Sequence, residues 1–284
     1  MTSWVRARPL PRSEVPTERP LLFETNEQGL CANFNQFLYA YAYAESEKKS
    51  LSVYDMQNSI SPSFPLIKST FADISGVTYI DSMLPSAISL RRNISRVMDV
   101  AKGIPLATLR TTAQRIFQWN PQLTPIVKEI FDKAKLPGAF DLGIHIRAGD
   151  KITTREMASI SIDRYIAATK KYQTDSALDE LHIFIMTDTI PLRAAFIKKA
   201  DPSWTIYYLP TQLPQPDGHS EAGFNGSPRR LKILAYNYFM AELIVMQSIP
   251  DILCTLSSNV GRFLYYTVEH EEGIMSLDAK MAIA

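Results

Sequence analysis

The chain has 284 residues, 46% of them hydrophobic and 21% charged, enough for one large or two medium domains around a substantial core. Thirty Lys and Arg against 29 Asp and Glu leave a net charge of +1, which speaks against a general field for nucleic acid or an anionic membrane; an anionic ligand must be met locally. Cys31 and Cys254 stand far apart without CxxC or Cys/His spacing, against both a disulfide framework and structural zinc.

Residues 1–20 carry Pro9, Pro11, Pro16 and Pro20 among charges and read as an extended arm rather than a secretory leader. No uninterrupted apolar stretch is long enough for an integral membrane segment, so the expectation is a cytoplasmic protein, although the trimmed catalytic part of an anchored enzyme would read the same. From Leu21 onward, short β-branched and aromatic runs alternate with longer amphipathic ones, the rhythm of an α/β fold. Leu21 to Glu24, Leu51 to Tyr54 and Val77 to Ile80 read as strands, with a helix from about Asn33 to Lys48. Pro85 to Lys135 reads as a helical region, with Ile94, Val97, Met98 and Ala101 at core spacing and Pro121 placed to start a helix, until Pro137-Gly138 breaks it. That break predicts a domain boundary, with an N-terminal α/β domain at 21–136 and a C-terminal one at 137–284.

The second half repeats the rhythm: strand Leu142 to Ile146, helix Ile162 to Tyr172, strand His182 to Met186, helix Pro191 to Ala200, strand Thr205 to Leu209. A Pro- and Gly-rich loop from Thr211 to Pro228 leads into a helix from Arg229 to Gln247, a buried strand Ile252 to Thr255, and a last helix after Ser257.

Ligands of parallel α/β sheets sit beyond the carboxyl ends of the strands, against helix N-termini, and three segments qualify. In Gly143-Ile-His145-Ile-Arg147-Ala-Gly149-Asp150-Lys151 an apolar strand breaks into a guanidinium, whose planar fork grips phosphate oxygens; an Arg147–Asp150 ion pair at the strand end is the alternative. A P-loop does not fit, because the glycine spacing is one residue too long and Asp150 stands in the lysine's place. In Thr187-Asp188-Thr189, Asp188 is either an acceptor for ribose, base or acceptor groups, or the N-cap of the next helix. In Thr255-Leu-Ser257-Ser258-Asn259-Val-Gly-Arg262 the small polar residues either hold phosphate or cap a helix through Ser258 or Asn259.

Taken together and in this order, the three segments resemble those of the fucosyltransferase-like superfamily, which includes α1,6-fucosyltransferases of N-glycan cores and nodulation factors and the protein O-fucosyltransferases. His145, Arg147, Asp150 and Lys151 match its His-x-Arg-x-x-Asp-Lys motif, Thr187-Asp188 its Asp-bearing strand end, and Thr255 to Arg262 its late Ser-Ser-Asn/Gln-x-x-Arg segment. Upstream, Gln28-Gly29-Leu-Cys-Ala-Asn33-Phe-Asn-Gln36 resembles the family's glycine-bearing first loop.

The resemblance implies a GT-B-like fold of two Rossmann-like domains facing a central cleft, with the donor held mostly by the C-terminal one. It implies an inverting, metal-independent transfer of a sugar, fucose from GDP-fucose first, to a hydroxyl of a glycan or glycopeptide. Arg147 would contact the donor diphosphate; Ser257, Ser258 and Asn259 would complete the cradle, with Arg262 at its end; Gly29 and Asn33 would close over the donor. The absence of Asp-x-Asp and the scatter of the four histidines agree with no metal and no cofactor beyond the nucleotide sugar. Glu242 matches the family's guanine-reading acid, as glutamate in place of aspartate, so UDP-sugars such as UDP-xylose stay open; a solvated mid-helix Glu is the other reading. Asp150 and Glu156 are the candidates for the general base, unless the departing phosphate takes the proton itself. A sugar-nucleotide-binding protein without catalysis is the reading from another class. Tyr39, Tyr41 and Tyr43 read as helix packing rather than a sugar platform.

Overall fold

The computed structural model describes residues 19–55, 58, 60–61, 64–82, 87–90, 94–147, 160–210 and 221–279. The first half builds strands β1 (Leu21–Glu24), β2 (Leu51–Tyr54), β3 (Val77–Ile80) and β4 (Ile88–Ser89), with helices α1 (Leu30–Ser46), α2 (Leu66–Thr70), α3 (Ile94–Gly103), α4 (Leu106–Ile116) and α5 (Leu123–Ala134). The second builds β5 (Leu142–Ile146), α6 (Ile162–Asp175), β6 (Leu181–Thr187), α7 (Ile190–Lys199), β7 (Trp204–Tyr207), α8 (Glu221–Asn225), α9 (Arg229–Ser248), β8 (Ile252–Cys254), α10 (Asn259–Thr267) and β9 (Ile274–Ser276).

The strands form two sheets, ordered β3-β2-β1-β4 and β7-β6-β5-β8-β9, and every pairing is parallel. Each sheet winds outward from its first strand in both directions, so each has a switch point, between β1 and β4 and between β5 and β8. This is the two-sheet α/β architecture expected of a GT-B-like fold.

Several elements differ from expectation. The region read as helical from Pro85 contains β4, whose two residues lie beside Leu21 and Leu22, with Ile88 N donating to the Pro20 carbonyl at 2.9 Å. Two residues carry no alternation, so no periodic signal exists to find. The same holds for three-residue β9, and for the one-turn helices α2 and α8, the latter lying inside the expected loop. Residues 1–18 of the arm lie outside the described residues.

One continuous core runs from Leu21 to Val268, through both sheets. A second covers the far face of the second sheet, with Leu142, Ile144, Ile146, Tyr165 and Phe196. Helix α1 is buried almost all round, Tyr39, Tyr41 and Tyr43 included, as its Ala-rich, apolar sequence requires. Its alanines let neighbours approach; the tyrosines place their hydroxyls on polar partners, Tyr39 on Tyr266 at 3.1 Å and Tyr41 on the Ser75 carbonyl at 3.0 Å.

Candidate donor-binding site

The second sheet's strand ends bring the polar segments together. The β5–β6 register aligns Ile146 with Thr187, and the β5–β8 register aligns Ile144 with Leu253. Carried forward, Arg147 falls between Asp188 and the turn that starts α10, at the switch point. Strand β5 is buried along its length, and Gly143 lets α9 lie close against it: an added Cβ would come 3.0 Å from Met246 Sδ. Alternation puts His145 and Arg147 on that same face.

Arg147 pairs with Asp188, both side chains only about one-eighth exposed. Asp188 therefore serves the guanidinium rather than capping α7. The N-cap of α7 is Thr189, without a side-chain cap bond, and its hydroxyl donates to Asp188 Oδ1 at 3.1 Å. Thr187 donates to the Ile146 carbonyl at 2.8 Å and accepts from Thr189 N at 3.2 Å, fixing both strand ends. Asp150, Lys151 and Glu156 lie outside the described residues, so no geometry attaches to them.

His145 is buried, and burial followed by the adjacent Arg147 charge lowers its pKa to about 3, holding the ring neutral. Its Nδ1 has no partner among the described residues, nor has the hydroxyl of buried Thr255 at the end of β8. A buried polar atom without a partner is costly, so two of them at one sheet edge suit a polar ligand.

The α10 turn is tightly built. Ser258 caps the helix, its hydroxyl accepting from Val260 N at 3.3 Å, so the cap reading holds for Ser258 and not for Asn259. An added Cβ at Gly261 would lie 2.1 Å from the Thr255 carbonyl oxygen; only glycine lets the helix meet the strand end this closely. Arg262 Nε donates to the Leu256 carbonyl at 2.9 Å, and the Ser257 hydroxyl donates to Asp278.

From the first half, Asn35 on α1 donates to the Asn259 carbonyl at 3.0 Å and to its side-chain oxygen at 3.4 Å. That contact turns the Asn259 amide nitrogen away from Asn35, and Asn35 Oδ1 is itself buried with no partner among the described residues. Sequence reasoning holds Asn35 only as a member of the Gln28–Gln36 segment and gives it no role, because nothing separates it from Asn33 and Gln36 beside it on the helix. Gly29 is the N-cap position of α1, and Asn33 shapes the loop before it, donating to the carbonyls of Asn26 and Gln28 at 3.1 Å each.

Glu242 is not solvated surface. It is buried on α9, and burial raises its pKa to about 8, with the Arg193 charge pulling the other way. Arg193 lies over the Tyr208 ring, 4.0 Å from its centroid, and donates to the Leu209 carbonyl at 3.4 Å. Among the described residues no group of His, Cys, Asp and Glu could hold a metal ion, and no helix is long and apolar enough to cross a membrane.

No protein-family model and no curated protein matches the chain. Solved structures do. The chain is similar to NodZ alpha-1,6-fucosyltransferase co-crystallized with GDP, at 13% identity over 92% of this chain and 96% of that one, with a TM-score of 0.60. It is similar to fucosyltransferase NodZ from Bradyrhizobium at 12% identity, over 92% and 96%, with a TM-score of 0.61. It is similar to POFUT1 in complex with GDP-fucose at 10% identity, over 89% and 95%, with a TM-score of 0.53. At these identities the likeness establishes the fold alone: the chain has the GT-B-like two-sheet α/β fold of these structures.

Proposed function

We propose that the chain is an inverting, metal-independent glycosyltransferase that moves a sugar, fucose from GDP-fucose, to a hydroxyl of a glycan or glycopeptide. The observation that carries this reading is Arg147 at the switch point of the second sheet, between Asp188 and the N-terminus of α10. Two of the similar structures hold GDP or GDP-fucose, which favours that donor over a UDP-sugar.

In this reading the donor diphosphate meets the guanidinium and the positive N-terminus of α10, where the Asn259 and Gly261 amides stand beside the capped Val260 amide. As the glycosidic bond breaks, charge builds on the departing phosphate. A donor already fixed there by Asp188 stabilises that charge without reorganising. His145 and Thr255 offer buried polar atoms at the same edge, Asn259 presents its amide under the hold of Asn35, and Gly29 with Asn33 forms the opposing loop. Asp150 and Glu156 are retained as the candidates to take the acceptor proton. Glu242 reads the base.

Calorimetry with GDP, UDP, GDP-fucose and UDP-xylose in EDTA tests the donor, followed by turnover of Arg147→Ala with the donor so found. The expected results are GDP selectivity without metal and a loss of at least about a hundredfold in turnover. UDP selectivity would replace fucose while keeping the site; no binding across the panel would overturn the transferase reading.

A further inference from the structure

The turn after β8 is held by a residue that none of the sequence motifs includes. Leu256 N and Ser257 N donate to the carboxylate of Asp278 at 2.9 and 3.4 Å, and the Ser257 hydroxyl donates to it as well. Ser276 Oγ at 3.0 Å and Ala279 N at 2.8 Å complete its shell. Asp278 reaches this place because β9 pairs in parallel with β8, Cys254 beside Ser276, and the register carried forward sets Asp278 against Leu256. From the opposite side Arg262 holds the Leu256 carbonyl. Burial pushes the Asp278 carboxyl up, but the bonds from Ser257, Ser276, Leu256 and Ala279 outweigh it and leave it below the usual carboxylate range.

A carboxylate seated on consecutive amides at the mouth of a helix occupies the kind of nest that phosphate also seeks. Here the chain fills part of the nest itself. The amides of Leu256 and Ser257 are engaged, and so is the Ser257 hydroxyl. With Val260 N on the Ser258 hydroxyl and Arg262 N on the Ser258 carbonyl, what remains for a diphosphate is the next layer out: the Asn259 and Gly261 amides of α10 and the side chain of Asn259. The turn's shape decides where those groups point, and Asp278 decides the turn's shape.

We propose that Asp278 is a positioning residue for the donor diphosphate: it locks the Leu256–Ser258 turn so that α10 presents its N-terminus to the phosphates, without touching them. This rests on the donor-site reading above. It assigns Ser257 a structural task under Asp278, and leaves phosphate contact to Asn259 and the helix.

The test compares GDP with guanosine on the full chain by calorimetry, for the parent, Asp278→Asn and Asp278→Ala. The Asn variant keeps the side-chain volume but turns an N–H toward the Ser257 amide, so it carries the test if the Ala variant does not fold. Expected is a drop of about tenfold or more in GDP affinity, with guanosine affinity changed less than about twofold, since a lost bond to a charged group is felt where charge is bound. Equal losses for both ligands, or no loss for either, would overturn the assignment. A parent chain that binds GDP no more tightly than guanosine would instead overturn the phosphate site on which it rests.

Discussion

Arg147 and Glu242 are charged side chains driven into the protein by opposite means. Arg147 is largely withdrawn from water against a counter-charge, Asp188, which offsets the loss of hydration and aims the guanidinium. Glu242 is buried with the Arg193 charge opposing, and burial wins, raising its pKa to about 8. Its folded value therefore lies above the unfolded value of about 4.3, so between the two the native state holds a proton that the unfolded chain has released. Stability is lost as pH rises through that window. Glu242→Gln, which cannot titrate, should gain on the parent steadily from about pH 5 to pH 8 in denaturant melts. A gap that stays flat with pH would contradict the buried, protonated state. The same residue links base choice to pH, because a guanine edge offers two N–H donors and wants the carboxylate. GDP affinity should then rise with pH toward about 8 in the parent and lose that slope in the Gln variant. In the sequence Glu242 is only a position on a helix, and a mid-helix glutamate is ordinarily solvated. Its burial follows from how α9 lies across the second sheet, which is a tertiary fact.

Among the elements, what can be read from the sequence is what repeats. Strands of four residues or more between amphipathic helices are legible, because alternation and helical spacing need length to register, and three-residue β8 is legible because its Ile-Leu-Cys run is apolar throughout. β4 and β9 are too short for that, and each is defined by its neighbour: β4 by Leu21 and Leu22, β9 by Ile252 to Cys254. The polar strand ends are legible for a different reason. An Arg or a Ser-Ser-Asn run after an apolar strand stands out in the sequence, but it reads equally as an ion pair or a helix cap, and both occur, Arg147 on Asp188 and Ser258 on Val260 N. The partner chosen by Arg147 is not legible, since Asp188 is distant in sequence and is brought near only by the β5–β6 register. Gly261 belongs to this scale as well. It lies in the first turn of α10 with no room for a side chain, so Gly261→Ala must push the helix off the strand end. Forcing an extra carbon into such a contact costs about 1–3 kcal/mol. The shift moves the helix N-terminus, so stability and GDP affinity should fall together, read by thermal melts and calorimetry. An alanine variant that melts and binds as the parent does would show that the turn can relax.

At the scale of the whole molecule, the two sheets are joined by helices from the second half that pack on the first. Phe263 of α10 enters an aromatic cluster with Phe34, Phe71, Phe117 and Trp119, with ring centroids 5.3 to 6.4 Å from its own. Arg110 on α4 closes the end of α10, donating to the carbonyls of Tyr265, Val268 and Glu269, and Gln114 donates to Val268 at 2.8 Å. Those carbonyls are the ones a helix end leaves without partners, so the first half completes the hydrogen bonding of the last helix. Trp119 likewise donates to Gln247 on α9 at 2.7 Å. With the larger of the two cores running through both sheets, neither half keeps that interior closed when the other unfolds, and the chain should melt as one unit. Tryptophan fluorescence and far-ultraviolet circular dichroism should therefore report coincident denaturant transitions. Phe263→Ala removes the ring at the centre of the junction and should lower stability by about 3–5 kcal/mol. The junction is also what holds Asn35 against Asn259, so a chain weakened there should lose GDP affinity as well. Two separated transitions in the parent would mean that the halves fold independently. Any cleft between them would then be an arrangement the halves adopt rather than one the core imposes.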